Sequence, residues 1–316
     1  MDELQELSKE SYNEILQLGF QPIAKAVDQC YANIIAGKKG ERIVFPTKWK
    51  KLNSLLLGGL QPGKMYVIGG RPGSGKSAFS NKMLFDILDH PKNQGRAIVL
   101  YWSFEMPGYQ QLMRIGSSNI GKKMSEILSV DVEFQDQHFD SFVKAMNPYK
   151  KYPIYFNNNA RDIEYVAKIT KRIATLNPDK TIINLFDHSR LFKKSKEASE
   201  LQMLTELSHT CIELQQQTKC ITILLSQLNR NIESPERAAN LYQPMLSDLF
   251  GSDSIGHDAH VVMIINRPGD MYNITVPYLN NNPANLLALH IEKNRDGELG
   301  MLPFDADMST FTIKER

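Results

Sequence analysis

Cysteine is scarce in this 316-residue chain: Cys30, Cys211 and Cys220 stand far apart, with no Cys-x-x-Cys pair. An odd, scattered set argues against a disulfide framework or a zinc site and suits a reducing compartment. Long apolar runs are also missing. No stretch reaches the roughly 18 apolar residues that a membrane-crossing helix needs. The opening, Met1-Asp2-Glu3-Leu4-Gln5-Glu6, is acidic and lacks the apolar core of a secretory leader. The expected location is the cytosol, or the cytosol of a host cell. Charge of one sign is lacking too: 37 Lys and Arg face 35 Asp and Glu, for a net +2. No broad basic field advertises nucleic acid, so any polyanion contact must come from a local patch or from patches summed around an oligomer. There are no internal repeats and no low-complexity tract. The length suits one large α/β domain with an appendage, or two domains.

What is present is a phosphate-binding signature. Gly70-Arg71-Pro72-Gly73-Ser74-Gly75-Lys76-Ser77 reads G-x-x-x-x-G-K-S. It follows the apolar run Met65-Tyr66-Val67-Ile68 and precedes a helix-like run from Ala78 to Leu84. Strand, glycine loop and helix is the context this motif needs. The glycines let backbone N–H groups approach phosphate oxygens, and the helix N-terminus adds partial positive charge. Lys76 is expected to reach the β- and γ-phosphates, and Ser77 to ligate Mg²⁺.

Residues 1–40 read as a helical arm and 41–316 as the nucleotide-binding domain. In the arm, Leu4, Leu7, Ile15 and Leu18 share one stripe, and Ile23, Val27, Tyr31 and Ile35 another, before Gly37-Lys38-Lys39-Gly40 breaks the pattern. Such a stripe fits a hairpin on its own core or a linker docked on a neighbouring subunit. After the glycine loop the chain alternates. Strands are expected at 97–103, 154–156, 181–186, 220–225, 261–265 and 286–291, with helices at 108–120, 135–147, 161–175 and 199–218. Asn157-Asn158-Asn159 and Asn280-Asn281-Asn282 read as loops. Apolar runs joined by helices predict an α/β fold with a mainly parallel sheet covered on both faces, and ligands at the carboxyl ends of its strands.

Polar residues of the right types follow those strands. Glu105 comes directly after one; it suits the base that deprotonates an attacking water, or a helix-capping glutamate. Asp187 ends another, as a metal-holding aspartate does, or as a turn residue does. Gln227, in Leu225-Ser226-Gln227-Leu228-Asn229-Arg230, could sense a γ-phosphate or serve a turn. Lys293 and Arg295 lie two apart on a strand and point the same way. They fit a phosphate clamp with an arginine finger, or a solvated hairpin rim.

Taken in order, these pieces resemble the RecA-like ATPase domain of DnaB-type hexameric replicative helicases, over about residues 43–313. Phe45-Pro46-Thr47 through Leu52, then Gly58-Gly59-Leu60-Gln61-Pro62-Gly63, is similar to that family's lead-in. The arginine-proline form of the glycine loop, Ser103-Phe104-Glu105-Met106-Pro107 and the Leu-Ser-Gln-Leu-Asn-Arg segment resemble its motifs. So do the spacing of Ser247-Asp248-Leu249, Ser254-Ile255 and Asp258-Ala259, and the closing Lys293-Asn294-Arg295-Asp296-Gly297. The resemblance implies a RecA-like P-loop NTPase that binds ATP and Mg²⁺. It implies that Glu105 is the catalytic base, that Asp187 assists the metal, and that Gln227 couples nucleotide state to motion. Lys293 and Arg295 would reach the γ-phosphate of the adjacent subunit. It also implies a homo-hexameric ring around single-stranded DNA, with a primase or helicase loader as further expected partner.

Three departures qualify the match. The family's N-terminal primase-binding domain is not represented, which suggests a short phage or mobile-element form. His188-Ser189-Arg190 follow Asp187 where the family has Tyr-Leu-Gln. The DNA-facing loop reads Phe250-Gly251-Ser252-Asp253 in place of Arg-Glu-Ser-Gly. Backbone amides of Gly251 and Ser252 still suit phosphate, and Phe250 fits either stacking on a base or packing under its own loop. The alternatives to a helicase motor are a non-unwinding regulator or assembly factor built on the same ATPase, and a RecA-type recombinase or clock-type ATPase.

Overall fold

Apolar runs punctuated by glycine and polar turns become strands of one sheet, and the stretches between them supply its covering helices. The computed structural model describes residues 9–128, 135–159, 162–188, 192, 199–272 and 285–316, with backbone alone for Lys9, Glu10 and Ser252. In chain order the elements are α1 (Lys9–Gln17), α2 (Ile23–Lys39), α3 (Lys50–Leu55), β1 (Met65–Gly70), α4 (Lys76–Asp89), β2 (Ala97–Ser103), α5 (Gly108–Ile120), α6 (Met124–Leu128), α7 (Asp136–Met146), β3 (Ile154–Asn157), α8 (Ile163–Leu176), β4 (Thr181–Asp187), α9 (Glu200–Thr218), β5 (Ile221–Gln227), β6 (Val261–Asn266), α10 (Pro268–Tyr272), β7 (Leu286–Asn294), β8 (Gly300–Asp307) and β9 (Thr312–Glu315). The asparagine run 280–282 and the pair Ser189-Arg190 lie outside the described residues.

The chain divides into two units, residues 1–43 and 44–316. In the first, α2 ends at Gly40, whose positive φ lets its amide and that of Glu41 turn back to the carbonyls of Gly37 and Ala36. None of the residues of α2 is buried, and Ile23, Tyr31 and Ile34 are largely exposed. Among the described side chains of this unit none is buried, and the stripe residues Leu4 and Leu7 lie outside the described residues.

In the second unit the nine strands of the described residues run in the order β3-β2-β4-β5-β1-β6-β7-β8-β9. The pairs from β3 through β6 are parallel. Those from β6 through β9 are antiparallel. The sheet is thus mainly parallel, as expected, but the strand at 286–291 is not its last. It extends to Asn294, reverses direction, and is followed by two strands that were not anticipated.

Alternation along β1 explains why both faces are covered. Tyr66 and Ile68 pack with Phe79, Met83 and Ile87 of α4. Met65 and Val67 pack with Met203, Leu207 and Leu214 of α9 on the opposite face. Burying each such side chain contributes about 1.5–3 kcal/mol. α9 begins at a reciprocal cap: Ser199 Oγ accepts from the Gln202 amide at 3.2 Å, and Gln202 Oε1 accepts from the Ser199 amide at 2.7 Å.

Candidate nucleotide site

β1 lies between β5 and β6 and delivers the chain to the glycine loop. Gly70 passes so close to its neighbours that a Cβ would collide with the Ser74 hydroxyl and lie 3.2 Å from the Ile265 carbonyl. Gly75 has φ +96°, and a Cβ there would meet Met308 Cε at 2.6 Å. The loop then enters α4, whose first residues are Lys76 and Ser77. A turn of this kind feeding a helix N-terminus presents amides to an anion.

A cavity of about 300 Å³ opens over this turn. Pro72, Gly73, Gly75, Lys76 and Ser77 line it from the loop and α4, Glu105 from the turn after β2, Asp187 from the end of β4 and Gln227 from the end of β5. Lys76 Nζ donates to the carbonyls of Gly70 at 2.7 Å and Arg71 at 3.1 Å. Burial pulls its pKa down to about 8, against the opposing charges of Asp187 and Glu105. Ser77 Oγ donates to Asp187 Oδ1 at 3.2 Å. Burial raises the Asp187 carboxyl above its usual range; Ser77 opposes this and the like charge of Glu105 adds to it. Ser103 Oγ donates to the Met106 carbonyl and ties the turn that presents Glu105, itself exposed to the cavity.

Some expected contacts are arranged differently. Arg71 turns out of the loop: its Nε pairs with Glu233 at 2.7 Å and its guanidinium donates to the Leu228 carbonyl at 3.0 Å. Ser74 Oγ is buried against Gly70 and does not line the cavity. Lys293 and Arg295 stand elsewhere. Because β7 is antiparallel, Asn294 pairs with Val261, at the rim where the parallel strands begin, while Ile265 pairs with Gly70 at the cavity. Both cations point the same way, as expected. Lys293 Nζ donates to the carbonyls of Gly256 (2.9 Å) and His257, and Arg295 donates to the His257 carbonyl at 2.8 Å.

The 250–253 segment bonds directly to the end of β5. The Phe250 amide donates to the Gln227 carbonyl at 2.9 Å, and Ser226 Oγ to the Phe250 carbonyl at 3.3 Å. The Phe250 ring is half-buried against the cluster beneath α9. Gly251 has a positive φ, Ser252 opens a short π-helical turn, and Asp253 is exposed. Nearby, buried Asp248 accepts two bonds from Arg237, at 2.8 and 3.0 Å, and one from the Met245 amide at 2.7 Å.

Sequence reasoning missed Met106, Arg114, His188, Met308 and Phe311, which also line the cavity. Met308 and Phe311 arrive on the turn between β8 and β9. Asp307 holds that turn by accepting from the Ser309 amide, Ser309 Oγ and Thr310 Oγ1 at 2.7–3.0 Å. Arg114 stacks over the Phe311 ring at 5.0 Å. The Asp307-to-Thr310 turn was a legible signal; its location over the glycine loop was not.

Among the described residues no group of three or more His, Cys, Asp and Glu could hold a metal ion. The Ser77–Asp187 pair is instead the partial, all-oxygen set that suits Mg²⁺ shared with phosphates.

Comparison with known proteins places this geometry. The chain is 28% identical over 269 residues to a protein named Replicative DNA helicase DnaB from Mycoplasma pneumoniae, covering 82% of this chain and 55% of that protein. It is 24% identical over 329 residues to Replicative DNA helicase DnaC from Bacillus subtilis, covering 100% and 68%. It spans about half the length of the first of these relatives. Among solved structures, the ATPase domain of G40P superimposes with a TM-score of 0.81 at 20% identity, over 94% of this chain and 99% of that one. A DnaB-like replicative helicase, solved in a study of its interactions with primase, gives 0.79 at 20% identity, over 97% and 71%. These likenesses bear out the RecA-like fold. The description "DnaB-like helicase C terminal domain" matches residues 45–313, and the chain belongs to that family.

Proposed function

We propose that this chain is the ATP-hydrolysing motor core of a replicative DNA helicase, working as a ring of six copies that translocates on single-stranded DNA. One observation carries the proposal: Lys76, Ser77, Glu105, Asp187 and Gln227, drawn from three strand ends and one helix start, converge on a single cavity. Ser77 and Asp187 would hold Mg²⁺, which on binding would neutralise charge on the β- and γ-phosphates. Lys76 is the cation of the loop, and phosphate oxygens would replace the two carbonyls it now contacts. Glu105 faces the cavity from a tied turn and would accept the proton of the attacking water. Gln227 lines the cavity while its carbonyl holds the Phe250 amide, which supports a coupling role.

Lys293 and Arg295 lie at the opposite rim of the sheet from the glycine loop, which supports their action on a neighbouring subunit's nucleotide. DNA contact would rest on the backbone amides of Gly251 and Ser252, with Phe250 anchoring the loop. The cytoplasm is the proposed location, and a primase or helicase loader the proposed additional partner. No helix of the described residues is long and apolar enough to cross a membrane.

A second reading, an ATPase that regulates or assembles without unwinding, draws on the inward packing of Phe250 and the exposed Asp253. Strand displacement on a forked duplex separates the two. The motor proposal expects ATP-dependent displacement and ATP hydrolysis stimulated by oligo-dT. Hydrolysis with neither would favour the regulator.

A further inference from the structure

Arg71 sits inside the phosphate signature, yet its guanidinium serves the neighbouring strand. Arg71-Pro72-Gly73-Ser74 closes a β-turn: the Ser74 amide donates to the Arg71 carbonyl at 3.1 Å, and Gly73 has φ +80°. Proline second and a positive-φ glycine third is the type II pattern. The proline also keeps the residue before it extended. Arg71 opens this turn, and its side chain runs across to the end of β5. There the guanidinium donates to the Leu228 carbonyl at 3.0 Å, and Nε pairs with Glu233 at 2.7 Å. The Arg71 side chain is 14% exposed and that of Glu233 43%.

The parallel pairing of β1 with β5 ends at Gly70 and Gln227. Arg71 and Leu228 are the next residue on each side, so the guanidinium carries the tie one residue further. Buried Leu228 is held from its other side as well. It bridges to Leu249, and the Asn229 amide donates to the Asp248 carbonyl at 2.7 Å. Phe250 follows directly and donates its amide to Gln227. At its own carbonyl, Arg71 accepts from Lys76 Nζ at 3.1 Å. One residue thus holds the lysine of the loop by its backbone and the residue after Gln227 by its side chain. An ion pair with an exposed partner contributes little by itself, so the Glu233 contact chiefly aims the guanidinium. The charged donor on the Leu228 carbonyl carries more. A planar guanidinium offers its donors in a rigid fork to two acceptors at once; a lysine ammonium on a flexible stem does not.

We propose that Arg71 is a positioning residue: it binds no phosphate, sets the strand end that carries Gln227, and passes the departure of Lys76 from its carbonyl on to Leu228 and the 250–253 segment. The proposal rests on the motor function above. Phosphate contact in such a turn belongs to backbone amides and to Lys76, and the Arg71 fork is already committed to two acceptors. Lys76 has two discrete arrangements, on the carbonyls of Gly70 and Arg71 or on phosphate oxygens. Moving from one to the other changes the load on the first residue of the turn, whose side chain is fixed to Leu228. A contiguous set of contacts of this kind is a physical route for coupling only if the two arrangements bias its far end, which is what the experiment reads.

The test uses the full chain and reads affinity for a fluorescent ATP analogue, ATP hydrolysis with and without oligo-dT, and a melting curve for each protein. Arg71→Lys keeps the charge and loses the fork. It should bind the analogue within about threefold of wild type, while stimulation of hydrolysis by oligo-dT falls about fivefold. Glu233→Ala should leave basal hydrolysis unchanged and lower the stimulation about twofold. Adding it to Arg71→Lys should cost nothing more, since both act through one guanidinium. Folded Arg71→Lys with wild-type stimulation overturns the proposal. So does an Arg71→Ala protein that binds the analogue about tenfold more weakly when Arg71→Lys binds it normally, the mark of a phosphate-binding cation. If the Arg71 variants do not fold, Glu233→Ala decides, and unchanged stimulation there overturns the proposal. Wild-type protein that hydrolyses ATP with no response to oligo-dT overturns the motor function itself, and the positioning role falls with it.

Discussion

The carbonyl of Gln227 accepts the amide of Phe250 at 2.9 Å, joining a residue of the nucleotide cavity to the 250–253 segment proposed to meet DNA. The ring of Phe250 packs inward against the cluster beneath α9. Phe250→Ala should therefore cost roughly 2 kcal/mol of stability, below the range for a fully buried phenylalanine. At equal folded fraction, its affinity for labelled oligo-dT should stay within about twofold of wild type, because no base–aromatic stack is lost. Anisotropy and a denaturant melt on the same preparation check this. Weakened DNA binding with an unchanged melt would assign Phe250 to base stacking instead.

Lys76 links pH to nucleotide. Its folded pKa of about 8 lies below the usual 10.5. The unfolded chain binds more protons between those values, so this group's contribution to stability rises with pH across that window. Phosphates favour the charged ammonium, so ATP binding near pH 8.5 should take up protons. Calorimetry in buffers of different ionisation enthalpy should show that uptake in wild type and its loss in Lys76→Ala, along with weaker binding and no hydrolysis. Identical heats in all buffers would contradict the assignment.

Glu105→Gln should retain nucleotide binding and lose turnover by about 10²-fold or more, since an amide cannot accept the water's proton. Phosphate release under saturating ATP is the measurement. A wild-type rate would move the base elsewhere.

Arg295→Ala and Lys76→Ala proteins should each be inactive alone, and mixing them should restore part of the turnover. Some mixed interfaces would pair an intact glycine loop with an intact finger. Specific activity should also climb with protein concentration through the assembly range. No recovery in rings shown to be mixed would leave Lys293 and Arg295 as rim residues.

His290 sets an acid limit. It is buried on β7, and desolvation lowers its pKa to about 4 from the usual 6.5. The unfolded chain takes up a proton first as pH falls, so stability is lost between those values, by roughly 3 kcal/mol in full. Urea melts at pH 7 and 4.5 should show most of that loss in wild type and a flatter response in His290→Gln. Parallel losses in both proteins would place the acid sensitivity in another group.

Much of the fold was legible because its signals are local. The run Gly70 to Ser77 carries its own chemistry, and the apolar strands ending at Ser103 and Asp187 fall where expected. β8 was hidden: Leu302, Phe304 and Ala306 alternate inward, but Pro303, Asp305 and Asp307 break the apolar pattern. An apolar run such as Leu286–Ile291 does not say which way it points, so its antiparallel course, the rim position of Lys293 and Arg295, and the reach of Met308 and Phe311 to the cavity were beyond local reading. Arg71 sits in a phosphate motif, yet Glu233, far along the chain, claims it.

The central seat of β1 has a consequence for how the protein is made. Its two sheet neighbours, β5 and β6, lie far downstream in the chain. During synthesis the glycine loop emerges early but has no sheet to belong to until both have followed. Met308 and Phe311, which line the cavity, come later still. Nucleotide can therefore rescue only the nearly finished chain and not its early folding states. Pairings over such long sequence separations also make for slow folding.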